Sequence, residues 1–210
     1  MTHPKGIVLD LCGGSGAWSK PWAAAGYDVR VITLPHHDVY DYTPPRTGVV
    51  GVLAAPPCTQ FSFVLNEKIK RDIPAALGVV HSCQRIIAEC QTQESFRWWA
   101  LENPIGHLNK YLGQPSFTFQ PWEFGDPWTK RTGIWGEFAL PTKTHECWEL
   151  VEQIPDLYIR PGRKKPNMVW LHKSAKESIA SLHEFDAPTD AAFRAITPQG
   201  FARAFFEANQ

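Results

Sequence analysis

Alternating apolar runs and helical segments predict an α/β fold for this chain. Apolar runs of strand length recur along the first half of the sequence, and segments with helical spacing lie between them. A glycine-rich loop follows the first run directly, as in a Rossmann-like sheet. We therefore predict such a sheet, with helices on both faces and a small irregular C-terminal appendage. The length of 210 residues and the 43% hydrophobic content suit one domain of this kind.

The first elements in the chain are predicted to be a strand, a helix and a second strand. Ile7 to Leu11 is almost entirely apolar, and Asp28 to Leu34 is rich in β-branched residues. Ser19 to Ala25 lies between them and carries three alanines in succession. This order is the opening of a parallel sheet.

A crossover helix is predicted between the next two strands. The apolar run 49–55 ends at Pro56-Pro57-Cys58, and the run Arg97-Trp98-Trp99-Ala100-Leu101 ends at Glu102. Between the two runs, Pro74 to Cys90 has apolar residues at helical spacing. A helix there joins two parallel strands, whose carboxyl ends then open into one crevice.

The second half of the chain has weaker patterns. Pro115 to Phe138 predicts short strands and turns, and Pro141 to Asp186 is irregular, with one helix near Ser174 to Leu182. A C-terminal helix is predicted with Thr197 as its cap and Pro198 as its first helical residue. We expect residues 1–140 to form the core, 141–193 a reduced insert, and 194–210 a helix packed back on the core.

Small residues dominate the loop that follows the first strand. The loop reads Cys12-Gly13-Gly14-Ser15-Gly16-Ala17-Trp18 and leads into a predicted helix. Its backbone can approach a nucleotide-like cofactor closely at the helix N-terminus, although a plain tight turn is the alternative. A nicotinamide-dependent oxidoreductase is disfavoured, because the third glycine of the dinucleotide motif is missing and the second strand ends in Thr33-Leu34-Pro35 instead of an acid.

Cys58 and Glu102 are the predicted reactive residues. Two prolines before Cys58 and Phe61-Ser62 after it indicate a turn, which favours a nucleophile over an ordinary buried cysteine. Glu102 follows an apolar run directly, so it is predicted at a strand tip, although a capping or surface acid is the alternative. The two side chains would face the same crevice.

The balanced charge excludes a strong overall attraction to polyanions. Lysine plus arginine and aspartate plus glutamate both number 21. Any nucleic-acid contact must then be local, and the best local cluster is Arg160-Pro161-Gly162-Arg163-Lys164-Lys165. A solvated surface loop is the alternative for this segment.

Cysteine usage and hydropathy predict a cytoplasmic protein. The five cysteines are odd in number and lack CxxC spacing, which argues against a disulfide framework and a zinc site. His36 and His37 have no ligand partners at metal spacing, so no metal is predicted. No apolar stretch is long enough to span a bilayer and no signal-peptide pattern opens the chain, so we expect no membrane association and a monomer.

In this order, the motifs resemble those of the DNA cytosine carbon-5 methyltransferase family. Asp10-Leu11-Cys12-Gly13-Gly14-Ser15-Gly16 is similar to the family's S-adenosylmethionine loop, and Asp38-Val39 to its adenine-contacting pair. Pro57-Cys58-Thr59-Gln60-Phe61-Ser62 is similar to its nucleophile motif, and Glu102-Asn103-Pro104 to its acid motif. The segments Pro127-Trp128-Thr129-Lys130-Arg131-Thr132 and Arg194-Ala195-Ile196-Thr197-Pro198 extend the resemblance along most of the chain.

The resemblance implies a role for each matched residue. Cys58 would add to carbon 6 of cytosine, while Glu102, with a pKa raised by burial, would protonate or hydrogen-bond ring nitrogen 3. Asn103 would hold the loop, and Lys130 or Arg131 would contact the base carbonyl or a phosphate. For Asp38, a turn residue without a cofactor role is the alternative. The cofactor contacts that the resemblance implies are Asp10, Cys12, Gly13, Gly14, Ser15, Gly16, Trp18, Thr33, Asp38, Val39 and Pro57. Trp18 and Trp128 are the tryptophans expected to serve the site.

Departures from the family bear on the substrate. About sixty residues are available for target recognition, less than a typical domain, which implies DNA methylation of low sequence specificity. Compact forms of this kind look like those of phages and prophages, acting in a bacterial or phage-infected host cytoplasm. Two alternatives stay open: a related enzyme acting on RNA, single-stranded DNA or a free cytosine nucleotide, and an inactive module that binds cofactor or nucleic acid.

Overall fold

A six-stranded mixed sheet forms the centre of the molecule. The computed structural model describes residues 5–65, 68–155, 157–173 and 189–210. The strand order is β2-β1-β3-β4-β6-β5, with β2, β1, β3 and β4 mutually parallel and β6 antiparallel to both of its neighbours. The strands are β1 Ile7–Leu11, β2 Asp28–Ile32, β3 Val49–Ala54, β4 Trp98–Pro104, β5 Phe117–Phe119 and β6 Thr132–Glu137.

Helices and short 3₁₀ turns connect the strands. The helices are α1 Lys20–Ala24, α2 Ile73–Gln91, α3 Asn109–Leu112, α4 Asp190–Ala195 and α5 Gln199–Asn209. The 3₁₀ turns are Pro121–Phe124, Trp148–Leu150 and Met168–Lys173. None of the helices in the described ranges has the length and apolar character needed to cross a bilayer. The helix expected near Ser174 to Leu182 lies outside the described residues.

The α/β prediction is confirmed, with helices on both faces of the sheet. Alternate strand residues point to opposite faces. On one face, Leu9 and Val52 pack against α2 through residues such as Ile86. On the other, Val8 and Leu53 pack with aromatic residues of α1 and α5. The predicted crossover helix is α2, which begins one residue before and ends one residue after the predicted range.

Strand ends differ from the predictions where the chain makes a specific contact. β2 ends at Ile32 instead of Leu34, because Thr33 starts a turn in which its carbonyl accepts the backbone N–H groups of His36 and His37. β4 continues through Glu102 to Pro104, since its end pairs with β6. Glu102 therefore lies within the strand, beyond the last residue that pairs with β3.

The predicted threonine cap of the C-terminal helix is wrong. Pro198 occupies the cap position of α5, and no side chain of the capping residue bonds to the helix. The buried carboxylate of Asp126 replaces it, because its Oδ2 accepts the Gly200 N–H at 3.2 Å. The helix N-terminus is thus satisfied by a residue 74 positions earlier in the chain.

A third apolar cluster joins the C-terminal part of the chain to the sheet. Trp128, just before β6, packs with Met168 and Leu171 from the last 3₁₀ turn and with Phe193 of α4. The carbonyl of Thr129 accepts the Met168 N–H at 3.0 Å, while the Thr129 N–H bonds to Pro166 at 3.0 Å. Segment 166–168 is therefore fixed beside the chain that enters β6.

Candidate active site

The register of three parallel strands brings the candidate loops together. Leu11 of β1 is opposite Ala54 of β3, and Ala54 is opposite Leu101 of β4. The residues that follow these three positions leave the parallel pairing at the same edge of the sheet. The glycine loop, the Cys58 loop and Glu102 consequently share one crevice, as ligand sites in open α/β sheets do.

A first cavity of about 350 Å³ lies over the glycine loop. Gly14 has a φ of +56° and an added Cβ there would meet no atom within 4 Å, so the loop backbone is open to the cavity. The lining also includes residues that the sequence predicts for the site, from the glycine loop, from the chain just after β2 and from the crevice around Cys58. These predicted residues are Asp10, Cys12, Gly13, Gly14, Ser15, Trp18, Thr33, Pro57, Cys58, Glu102 and Lys130.

Asp10 is a buried carboxylate on the wall of this cavity. Its Oδ2 accepts the Ser19 hydroxyl at 2.6 Å, while Oδ1 has no hydrogen-bond partner among the described residues. Burial raises the pKa of Asp10 to about 6, against the lowering effect of the Ser19 hydrogen bond. An unpaired, ionisable oxygen at a cavity wall favours a ligand that carries a cation or a hydrogen-bond donor.

Cys12 adopts a left-handed backbone conformation with a φ of +56°. Its N–H bonds to the Ile32 carbonyl at 2.8 Å, which ties the start of the loop to the end of β2. The thiol of Cys12 hydrogen-bonds with Cys83 of α2, which lowers the pKa of Cys12 and raises that of Cys83. This contact fixes the glycine loop to the crossover helix.

A second cavity of about 480 Å³ adjoins the first. Cys58 and Lys130 line both cavities, whereas Glu102 lines the first and Arg131 the second. The far wall of the second cavity is formed by Asn167, Met168, Val169 and Trp170 together with Arg194. Cys58 and Lys130 therefore lie where the two cavities meet.

The charges around Cys58 oppose each other. Burial raises the pKa of the Cys58 thiol, the Lys130 ammonium lowers it and the Glu102 carboxylate raises it. Lys130 Nζ lies 3.6 Å from Glu102 Oε1, and both side chains are about one-tenth exposed. Arg194 of α4 also lowers the pKa of the thiol.

Hydrogen bonds from neighbouring elements hold the Cys58 loop. Asn103 is fully buried, and its side-chain amide donates to the Pro56 carbonyl at 2.9 Å. The Arg71 guanidinium donates to the Gln60 carbonyl at 2.6 Å and to the Ser62 carbonyl at 2.9 Å. The Cys58 carbonyl accepts the N–H groups of Phe61 and Ser62, so the thiol sits at the start of a closed turn.

Four predicted site residues lie outside the lining of both cavities. Gly16 has a φ of +70° and its carbonyl accepts the Ser19 hydroxyl at 3.2 Å, which makes it a turn residue. Asp38 Oδ1 accepts the Tyr40 N–H at 3.0 Å, which favours the turn reading, and Val39 is buried in the core. Asn103 acts on the loop and not on the cavity, as the resemblance implied.

The expectation that Trp128 serves the site is wrong. Trp128 is 1% exposed and belongs to the third apolar cluster. Trp18 is 2% exposed and does line the first cavity, but its ring packs against Phe201 and Phe205 of α5. These indoles stabilise the walls of the site from behind.

Residues from the C-terminal part of the chain complete both cavities. Ala192, Ala195, Ile196 and Thr197 close the first cavity, and Arg194 and Trp170 line the second. None of these residues is among those predicted from the sequence for the site. The signal that could have found some of them was the resemblance of segment 194–198 to the arginine and threonine-proline motif.

No group of three or more histidine, cysteine, aspartate or glutamate side chains within the described ranges could hold a metal ion. The five cysteines are free thiols, and Cys147 is exposed.

Comparisons with known proteins give only a distant likeness. The chain matches no protein-family profile and no curated protein sequence. A mutant of Spodoptera frugiperda DNMT2 is 14% identical with a TM-score of 0.37, and the match covers 79% of this chain but 58% of that chain. The 23S rRNA methyltransferase ErmE is 11% identical with a TM-score of 0.30, over 99% of this chain and 93% of its own. Structural similarity at these TM-scores does not indicate an activity.

Proposed function

We propose that this protein is an S-adenosylmethionine-dependent methyltransferase that modifies carbon 5 of cytosine in DNA, with low sequence specificity. The observation that carries the proposal is the position of Cys58 and Lys130 on the common wall of two adjoining cavities. One cavity suits a nucleotide-like methyl donor, and the other suits the acceptor base. A thiol between the two can activate the base while the donor lies beside it.

The first cavity fits S-adenosylmethionine in its chemistry. Its volume of about 350 Å³ lies within the usual range of roughly 300–1,000 Å³ for small-molecule sites. The open backbone at Gly14 admits close approach of a ligand, and the unpaired Oδ1 of Asp10 can accept from a donor group or face a cation. When bound, S-adenosylmethionine supplies an electrophilic methyl group on its sulfonium.

Cys58 is the nucleophile in this mechanism. Its thiolate adds to carbon 6 of cytosine, and the electron pair of the carbon 5–carbon 6 double bond becomes available at carbon 5. After methylation, loss of the carbon-5 proton and departure of Cys58 restore the aromatic ring. The positive charges of Lys130 and Arg194 favour the thiolate.

Glu102 and Lys130 handle the charge that develops on the ring. Glu102 lines the first cavity beside Cys58, which both cavities share, so we assign to its carboxyl group the hydrogen bond to ring nitrogen 3 of a base that Cys58 holds at the junction of the two cavities. Lys130 Nζ, 3.6 Å from Glu102 Oε1, orients that carboxyl group and can contact the base carbonyl. Arg131 lines only the second cavity, where it can contact the base carbonyl or a phosphate.

The experiment compares wild type with Cys58→Ser and Cys147→Ser. Each protein is incubated with labelled S-adenosylmethionine and duplex DNA, single-stranded DNA, RNA or dCMP, and modified nucleosides are identified by mass spectrometry. We expect 5-methylcytosine from wild type and Cys147→Ser, because Cys147 is exposed, and a loss of at least 10³-fold in Cys58→Ser. If 5-methylcytosine forms chiefly in RNA or from dCMP, then that molecule and not DNA is the substrate.

A second readout tests the covalent step directly. DNA with fluorine at carbon 5 of cytosine cannot lose a proton there, so the Cys58 adduct should persist and raise the protein mass. The adduct should form with Cys147→Ser and not with Cys58→Ser. Bound cofactor without transfer to any substrate, and without an adduct, would contradict the proposal and indicate a binding module.

A further inference from the structure

The loop 160–165 is a strongly basic surface element next to the second cavity. Four of its six residues are cations, and the stretch 157–173 contains no aspartate or glutamate. We propose that this loop, called here the basic loop, binds the phosphate backbone of the polynucleotide whose base enters the second cavity. The inference rests on the proposed function and deepens it, because it separates a polynucleotide substrate from a free nucleotide.

The basic loop projects into solvent with its cations available. Arg163 N–H bonds to the Arg160 carbonyl at 3.0 Å, and Gly162 between them has a φ of +78° with open space where a Cβ would lie. Arg163 and Lys164 are exposed, and within the described ranges neither forms an ion pair. Exposed cations that project without carboxylate partners are suited to bind an anion.

Aromatic rings orient the other two cations of the basic loop. The Arg160 guanidinium lies 5.2 Å from the ring centroid of Trp170. Lys165 Nζ lies between two rings, 4.7 Å from the centroid of Trp122 and 5.1 Å from that of Trp148. Cation–π contacts restrict these side chains before a ligand arrives, which reduces the entropic cost of binding.

The position of the basic loop relates it to the reactive thiol. Trp170, on which Arg160 stacks, lines the same cavity as Cys58. The segment that follows the loop is bonded to Thr129, whose neighbour Lys130 is shared by both cavities.

Arg163 and Lys164 do not belong to the cavity lining. In this proposal, the phosphate that they bind belongs to a nucleotide flanking the one in the cavity. This favours a polynucleotide over a membrane surface or an acidic protein, because only a polynucleotide places a base in the cavity and phosphates on the loop.

The test measures binding of fluorescein-labelled 24-nucleotide DNA, as duplex and as single strand, by fluorescence anisotropy over a range of salt concentrations. The variant Arg163→Ala/Lys164→Ala removes the two exposed cations outside the cavity. The matched control, Arg46→Ala/Arg97→Ala, removes two exposed cations that precede β3 and β4, at the opposite edge of the sheet. Thermal unfolding of both variants confirms that they fold.

We expect the basic-loop variant to bind duplex at least tenfold more weakly than wild type. Its plot of log affinity against log salt should be shallower by about 1.8, or roughly 0.9 for each lost phosphate contact. The control should keep the wild-type affinity and slope. Equal affinity and slope in the basic-loop variant and wild type, or no polynucleotide binding by wild type, would overturn the proposal.

The binding readout requires no methyl transfer. If no methyl transfer is found, the binding measurement still tests the basic loop. If the basic loop has no effect on binding, the proposed methyl transfer is still tested by its own experiment. Methylation of dCMP, if wild type shows it, should be equal in the basic-loop variant and the control, because a free nucleotide does not reach the loop. A matching loss on dCMP would contradict a backbone contact.

Discussion

The pKa of the Cys58 thiol is set by burial and by two opposite charges beside it. Lys130 lowers the pKa of the thiol and Glu102 raises it, while burial raises it most. Lys130 is the residue best placed to control this balance, since it contacts both the carboxylate and the cavity walls.

Neutralising Lys130 should raise the pKa of Cys58, and neutralising Glu102 should lower it. In Lys130→Gln the thiol loses a cation, so its alkylation by iodoacetamide should begin at higher pH than in wild type. In Glu102→Gln it loses an anion, so alkylation should begin at lower pH. Peptide mass spectrometry follows Cys58, with exposed Cys147 in the same molecule as the reference. Shifts of equal sign in the two variants would contradict the charge arrangement.

At the scale of elements, α5 depends on a carboxylate from a distant loop. Asp126 accepts the Gly200 N–H and is almost fully buried, and this burial raises its pKa to about 7. This rise in the pKa of Asp126 is opposed by the hydrogen bonds from the backbone N–H groups of Gly200 and Gln199 and by the charge of Arg203. The helix that covers one face of the sheet is therefore held at its first turn by a carboxylate from a distant loop.

Asp126→Ala should destabilise the protein by about 1 kcal/mol, because the first turn of α5 loses its acceptor. Asp126→Asn keeps an acceptor of the same shape and should cost less. Because the folded pKa lies above the unfolded value, the folded state holds more protons between pH 4 and pH 7. The contribution of Asp126 to the free energy of unfolding of wild type therefore falls as the pH rises from 4 to 7.

Urea titrations at pH 4 and pH 7 measure the effect. The difference in stability between the two pH values should be smaller in Asp126→Asn than in wild type, since the variant cannot ionise there. Identical pH dependence in the two proteins would show that Asp126 does not titrate in this range.

At the scale of the whole molecule, one aromatic cluster joins the two ends of the chain. Phe205 of α5 is fully buried, and its ring centroid lies 5.5 Å from Trp18, 6.0 Å from Trp22 and 5.9 Å from Trp98. The glycine loop, α1, the sheet and the C-terminal helix meet at this ring. The first cavity, which Trp18 lines, is thus supported by α5.

Phe205→Ala should lower the free energy of unfolding by about 3–5 kcal/mol, because it removes buried apolar surface and leaves a cavity among rigid rings. Phe206→Ala is the matched control, since Phe206 is only partly buried and should cost clearly less. Chemical denaturation followed by tryptophan fluorescence measures both. Equal losses in the two variants would contradict the central position of Phe205.

Elements with a local signal could be predicted from the amino-acid sequence. Apolar runs gave β1, β3 and most of β4, and helical spacing gave α2, because burial on a sheet or a helix face selects a periodicity within a few residues. Cys58 and Glu102 followed from the same logic, since each comes at the carboxyl end of a predicted strand. Their assigned roles stay predictions until the variants are measured.

Features that join distant parts of the chain could not be predicted from local patterns and follow from the folded structure. The antiparallel pairing of β6 drew Glu102 into β4, Asp126 replaced Thr197 as the cap of α5, and the burial of Trp128 removed it from the site. The second cavity likewise draws its far wall from Asn167 to Trp170 and from Arg194. These contacts join residues dozens of positions apart, and no local pattern encodes which partner a strand end, a helix terminus or an indole will find.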